Sequence, residues 1–224
     1  MWSMLDLFSG AGGAAVGYSR AGLSVTGVDI APQPRYPFPF IHADALAVLE
    51  EPAWQDLVAD QDVIHASPPC QAFSAYRRRG NGVGDHYPDL IAIVRDALKA
   101  TGKPYVIENI PGAPLRNPVM VCGSSFGLDL QRHRYFESNL PLVAPPCNHA
   151  WQTPRFPPAT NRTNRRRTVE VGAYRCHRYA PVAMGIDWMN PQELTEAIPP
   201  AYAEFLGRQI HAWLRARAEM AEIA

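Results

Sequence analysis

The chain has 224 residues, 47% hydrophobic and 19% charged, a size and balance suited to one globular domain with at most a small appendage. No apolar run approaches the roughly 18 residues of a membrane span, and the first residues lack the basic and apolar regions of a signal peptide, so membrane and secretory functions are not expected. The four cysteines (70, 122, 147 and 176) have no framework spacing, which points to a reducing cytoplasm, and the net charge of zero hides a strong asymmetry.

Residues 3–8 read as a short buried strand, 9–13 as a Gly-rich turn, and 14–21 as a helix ended by Gly22. Further strands are expected at 24–29, 40–44, 63–66 and 105–108. A helix with Leu90, Val94 and Leu98 on one face comes before the last of these. This alternation predicts a mostly parallel sheet covered on both sides. Residues 72–88, rich in glycine and centred on Arg77, Arg78 and Arg79, follow the fourth strand and read as a lid. Residues 143–176 are rich in Pro and Arg and lack periodicity, as a small inserted region would. Tyr202, Phe205, Leu206, Gln209, Ile210, Trp213 and Leu214 then mark a long amphipathic helix packed on the core.

The charge asymmetry belongs to the insert. Gln131 to Tyr179 carries nine arginines, two acids and no lysine, a surplus of +7 balanced by −7 elsewhere. Most charge clusters are solvated faces, but Arg-only clusters beside Asn and Thr suit phosphate and guanine contacts, because the guanidinium fork binds bidentately.

Two strand ends carry the chemistry. After the first strand, Gly10-Ala11-Gly12-Gly13 opens a helix, although the third glycine of a dinucleotide fingerprint is replaced by Ala15. Asp29 ends the second strand, placed to grip ribose hydroxyls, so a nucleoside-type cofactor is expected. Phe8 is placed to cover an adenine ring, and Asp44 to accept from its amino group. After the fourth strand, Pro68-Pro69-Cys70-Gln71 presents a thiol on a turn stiffened by two prolines. A lone cysteine is usually a buried core residue. Here the cofactor turn and the acid-amide pair Glu108-Asn109 argue for a working thiol.

Four segments in this order, LDLFSGAGG from Leu5, SPPCQAFS from Ser67, IENI from Ile107 and RHRYFES from Arg132, resemble the motifs of the DNA (cytosine-5-)-methyltransferase family, in the compact form found in phage and bacteria. The resemblance implies a Rossmann-like α/β S-adenosylmethionine-dependent methyltransferase fold with a small target-recognition insert near the C-terminus. It divides the chain into a catalytic and cofactor-binding domain (1–140), a short target-recognition region (141–183) and a segment and helix returning to the catalytic domain (184–224). Cys70 is then the nucleophile toward carbon 6 of a flipped-out cytosine, Glu108 the partner of ring nitrogen 3 and the exocyclic amine, and Arg132 and Arg134 the arginines that bind the base and orient the thiol. S-adenosyl-L-methionine would lie against Phe8, Ser9, Gly10, Gly12, Gly13, Asp29, Ile30, Asp44, Ala45 and Pro68. Double-stranded DNA would meet Gln71, Ser74, Arg77, Arg78 and Arg79 of the lid and Arg165, Arg166 and Arg167 of the insert. The expected setting is a bacterial cytoplasm, with a monomeric enzyme, no membrane contact and room for a separate restriction nuclease.

The chain departs from the family pattern at Leu130, where a Gln is usual, at Glu196, where an Asn is usual, and in an insert of only about 45 residues. These departures bear on target specificity and efficiency. RNA as substrate, and a catalytically silent DNA-binding protein on the same fold, are the alternatives. Cys147-x-His149 and Cys176-His177 offer four metal ligands, but adjacent Cys-His is poor spacing, so no metal is expected.

Overall fold

The computed structural model describes residues 1–73, 89–152, 168–169, 171–172, 175–176 and 179–223. Its centre is a seven-stranded sheet in the order β3-β2-β1-β4-β5-β7-β6. The strands are β1 (Ser3–Leu7), β2 (Ser24–Asp29), β3 (Phe40–His42), β4 (Val63–Ala66), β5 (Tyr105–Asn109), β6 (Val119–Val121) and β7 (Arg134–Ser138). β1 to β5 run parallel, while β7 lies antiparallel to both β5 and β6. All four residues of β4 and all five of β5 are buried. Their near-continuous apolar runs are what a parallel strand covered on both faces requires.

Alternate side chains along the strands feed two separate cores. Met4, Val25, Val63 and Val106 point to one face, where α1 (Gly13–Arg20) and α7 (Pro200–Ile223) cover them with Ala15, Tyr18, Tyr202, Leu206 and Ile210. Leu5, Leu7, Ile64 and Ile107 point to the other, against Val48 of α2 (Ala45–Glu50), Val58 of α3 (Gln55–Ala59) and Val94 and Leu98 of α4 (Ile91–Ala100). α7 packs closely on α1 because both are small there. A Cβ added at Gly17 would stand 2.2 Å from the Pro200 carbonyl oxygen, too close for any side chain.

A third core lies beside the sheet. Leu130 and Ala11 meet Val171 of the two-residue strand β8 (Val171–Gly172), which pairs with β9 (Arg175–Cys176). Ala183 and Met184 of α5 (Ala180–Met184) and Leu194 of α6 (Pro191–Glu196) complete it. Asn190 and Glu193 form a capping box that starts α6.

Five predicted strands form within two residues of their expected ends, and the final helix packs as expected. The antiparallel β7 and the short α2 and α3 carry no such periodic signal. β7 buries Phe136 in the first core and is also tied down by a buried ion pair. Glu137 accepts from Arg95 of α4 at both oxygens, 2.6 Å from Nε and 2.7 Å from Nη2, and from the Arg116 backbone amide at 2.7 Å. Both side chains are about 4% exposed, so neither charge has water to fall back on. Arg95→Ala should therefore cost about 3–5 kcal/mol by denaturant unfolding, whereas Arg95→Met with Glu137→Leu should recover most of that loss.

Candidate active site

β1 and β4 are neighbours, but the chain leaves β1 toward β2 on one side and β4 toward β5 on the other. Crevices at the carboxyl ends of such strands are where open α/β sheets bind ligands. Residues 8–13 leave β1 and residues 67–73 leave β4, so the glycine turn and the cysteine turn face one another across this crevice.

The glycine turn is backbone-driven. Phe8, Gly10 and Gly12 all have positive φ, at 57°, 50° and 85°. Phe8 is one of only two non-glycine residues in that region among those described, a strained conformation typical of ligand sites. A Cβ on Gly10 would meet nothing within 4 Å, so its surface is open to the crevice. A Cβ on Gly13 would strike the Ile198 carbonyl oxygen at 2.4 Å, which gives that glycine a packing role against the C-terminal segment. Asp29 supports the turn: its Oδ2 accepts from the Gly10 amide and its Oδ1 from the Ala31 amide, each at 2.9 Å. Ile30 beside it is 69% exposed, an apolar lip with no protein cover. Asp44 caps α2 by accepting from the Leu46 amide through Oδ1 at 2.8 Å, and Ala45 is buried in the first turn of that helix. Hydroxyl acceptors, an apolar lip and an open glycine suit an elongated ligand with a ribose and a flat ring.

The cysteine turn is held from β5. Asn109 is 1% exposed and its Nδ2 donates to the Pro68 carbonyl at 2.9 Å. The Phe73 amide donates to the Cys70 carbonyl at 3.0 Å, closing the turn. Cys70 is half-buried. Burial pushes its thiol above the ordinary range; Arg134 and Arg132 oppose this, while Glu108 and Glu196 add to it. The expected catalytic group of Cys70, Glu108, Arg132 and Arg134 is thus brought together, with Glu196 at its edge.

Arg134 Nε lies 3.0 Å from Glu108 Oε1, with side chains 12% and 8% exposed, yet its N–H is not aimed at that oxygen, which keeps a vacant acceptor. Arg132 is fixed from behind, donating to the Val171 carbonyl at 3.0 Å and the Thr195 carbonyl at 2.8 Å. Its backbone carbonyl accepts from Tyr202 Oη at 2.5 Å, so α7 also holds it. Burial, with Arg134 as the next cause, pushes its guanidinium down to about 9. Its Nε finds no partner among the described residues. Glu196 keeps much of its surface in solvent at the mouth of the crevice. Partial loss of water raises its carboxyl, Asp29 adds to this, and Arg132 opposes it.

Gln71 stands in the turn after Cys70, while Ser74, Arg77, Arg78, Arg79, Arg165, Arg166 and Arg167 lie outside the described residues. Asn109 and Tyr202 were not among the predicted site residues. The first had a signal in its place after Glu108; the second had none, because only the fold brings it to Arg132. Cys147 and His149 gather with Cys122 and His133, their ligand atoms all within 4.8 Å of one another, while His177 and the Cys176 side chain lie outside the described residues.

Residues 2–116 match the model of C-5 cytosine-specific DNA methylases. The chain belongs to this family. The matched span contains the glycine turn, Cys70 and Glu108. No curated protein matches the chain. Among solved structures it is similar to a putative DNA modification methyltransferase encoded within an E. coli prophage (23% identity, 61% of this chain and 45% of that one, TM-score 0.46). It is also similar to a Spodoptera frugiperda DNMT2 mutant (20% identity, 66% and 56%, TM-score 0.43). The chain thus spans about half the length of these structures. The Entamoeba histolytica methyltransferase EhMeth is 12% identical over 97% of this chain and 99% of that one, at a TM-score of 0.57, a likeness of fold.

The raised Cys70 thiol has a direct readout. Because only the thiolate alkylates, modification of Cys70 by iodoacetamide should rise with pH to a plateau on the alkaline side of that of a free cysteine. Arg134→Gln, which removes the larger of the two opposing charges, should move the profile further up. A Cys70 profile centred at or below that of free cysteine would contradict the electrostatics described.

Proposed function

We propose that the protein transfers a methyl group from S-adenosyl-L-methionine to carbon 5 of cytosine in double-stranded DNA, through a covalent Cys70 adduct on a flipped-out base. The observation that carries this reading is the meeting of Cys70, Glu108 and Arg134 at the mouth of the crevice in a member of this family. When bound, S-adenosylmethionine supplies an electrophilic methyl group. Phe8, Gly10, Asp29, Ile30 and Asp44 would hold it, with Ser9, Gly12, Ala45 and Pro68 behind them. Asp29 is already oriented by two backbone amides and offers its remaining lone pairs to ribose hydroxyls.

Carbon 5 of cytosine is a weak nucleophile. Addition of the Cys70 thiolate to carbon 6 turns the ring into an enamine whose carbon 5 can take the methyl group. Negative charge then builds on ring nitrogen 3 and the exocyclic amine. Glu108 engages both, one carboxyl oxygen accepting from the amine and the other sharing with nitrogen 3 a proton that neutralises the charge there. Arg134 keeps Glu108 in place and, with Arg132, favours the thiolate against the burial that raises it. Loss of the carbon 5 proton then expels Cys70 and restores the aromatic ring.

The target atom is shielded in a stacked duplex, so the base must leave the helix. The sequence supports residues 72–88 as the segment that closes behind it, Gln71, Ser74 and Arg77–Arg79 meeting the strand. It supports residues 141–183, with Arg165–Arg167, as the reader of neighbouring bases. A bacterial or phage setting and a partner nuclease fit this reading.

The test is transfer of labelled methyl from S-adenosylmethionine to unmethylated duplex DNA, with tRNA as competitor. Label should appear as 5-methylcytosine in DNA and fall to background in Cys70→Ser. Glu108→Gln should lower kcat by about 10²–10³, the usual loss on removing one such stabilising contact. Asn109→Ala, which frees the Pro68 carbonyl, should cost about 10² in kcat, as misplacement of a nucleophile by about 1 Å does. Label in tRNA alone would replace the DNA reading, and no label with intact cofactor binding would favour a silent binding protein.

A further inference from the structure

Behind the active-site arginines, four soft ligands meet. Cys122 follows β6, His133 stands between Arg132 and Arg134, and Cys147 and His149 lie on the strand-free stretch after β7. One ligand atom from each falls within 4.8 Å of all the others. Cys122 Sγ and Cys147 Sγ approach the same atom, His149 Nε2, at 3.2 and 3.0 Å, and Cys147 Sγ lies 3.4 Å from His133 Nε2. The two imidazole rings stack with centroids 5.3 Å apart and planes 12° apart.

Hydrogen bonding explains this arrangement poorly. A neutral imidazole nitrogen has either one N–H or one lone pair, so Nε2 of His149 cannot serve two thiols well. A shared cation serves all four atoms. Tetrahedral zinc with its usual bond lengths separates a sulfur from a nitrogen ligand by about 3.6 Å, and the three sulfur–nitrogen contacts here run from 3.0 to 3.4 Å, so a small outward movement of the side chains would admit the ion. Two thiolates and two imidazoles are a set that selects zinc among the common cations. The two thiols would lose their protons on binding, and the resulting complex would be neutral. Neutrality matters here, since a net positive centre would add to Arg132 and Arg134. Ser124 is buried and its Oγ lies 3.3 Å from Cys122 Sγ and 3.6 Å from Cys147 Sγ, so it supplies the outer hydrogen bond that thiolate ligands need. The Asn148 amide in turn donates to that hydroxyl at 3.2 Å.

We propose that Cys122, His133, Cys147 and His149 form a structural zinc site that locks the Arg132-His133-Arg134 triplet to the end of β6 and to the start of the 141–183 region. All four positions are taken by protein, so the ion is a clamp with no place for substrate. In a sheet whose β6 edge strand has only three residues, the clamp replaces a core the edge cannot build. Its effect on methyl transfer, through the two arginines, rests on the function proposed above; the site itself does not.

The test is metal analysis of the purified full chain by inductively coupled plasma mass spectrometry, after gel filtration. One zinc per chain is expected, retained in Cys70→Ser and lost in Cys122→Ser and in His149→Ala. Cobalt replacement should give intense visible bands of tetrahedral Co(II) with thiolate charge transfer in the near ultraviolet. Where a ligand variant fails to fold, the wild-type chain decides alone, by its zinc content and cobalt spectrum. Folded wild-type protein without zinc, a six-coordinate cobalt spectrum, or a Cys122–Cys147 disulfide in freshly purified protein would overturn the proposal. Because metal content is read without activity, failure of the zinc site and failure of the methyl-transfer reading are separable.

Discussion

The single hydrogen bond from the Asn109 amide to the Pro68 carbonyl ties together what the rest of the site depends on. It joins the ends of the adjacent strands β4 and β5, and so sets the Cys70 turn against Glu108. Pro68 and Pro69 stiffen the turn, but proline restricts torsions without fixing where a loop sits relative to a neighbouring strand. The cross-strand bond supplies that position, and at 1% exposure it does so away from competing water. Glu108 is one residue before Asn109 on β5, so its side chain leaves the opposite face of the strand from the anchoring amide. Anchor and acid come from one short segment because strand geometry alternates them.

Opposing electrostatic effects meet at Cys70. Burial raises its thiol, and two arginines pull against that. Arg132 is buried beside Arg134, and its guanidinium is pushed down to about 9. It stays in place because two backbone carbonyls and the Tyr202 hydroxyl hold it from behind. Glu108 Oε1 and Arg132 Nε are buried in this field without a hydrogen-bond partner among the described residues. Glu196, where relatives of this kind usually carry an amide, adds a carboxyl to the same field between Asp29 and Arg132.

Much of this was legible in the residues. The parallel strands read correctly because strands buried on both faces are mostly apolar, as Val63–Ala66 is apart from His65, which is buried against Asp6. Cys70, Glu108, Arg132 and Arg134 could be named because each sits in a short local motif at a strand end. What could not be read shares one cause, which is distance along the chain. Arg95 and Glu137 are 42 residues apart, and Tyr202 and Arg132 are 70 apart. Neither pair leaves a local pattern. The metal ligands fail the same way: Cys122 and His133 come from strand ends with no ligand-like spacing, and only the antiparallel return of β7 beside β6 brings them to Cys147 and His149. At Gly13 the structure adds a reason that the motif did not show, the Ile198 carbonyl packed against it.

The central claim is that Cys70 attacks the base covalently while Glu108 stabilises the ring. Duplex DNA carrying 5-fluorocytosine tests it most directly, because fluorine in place of the carbon 5 proton blocks the step that expels the thiol. Incubated with S-adenosylmethionine, the protein should form a complex that survives denaturation, and peptide mapping should place the methylated fluoropyrimidine on Cys70. The same experiment with Glu108→Gln should slow the trapping without moving its site. Methyl transfer to cytosine with no adduct, or an adduct on any other residue, would contradict the account.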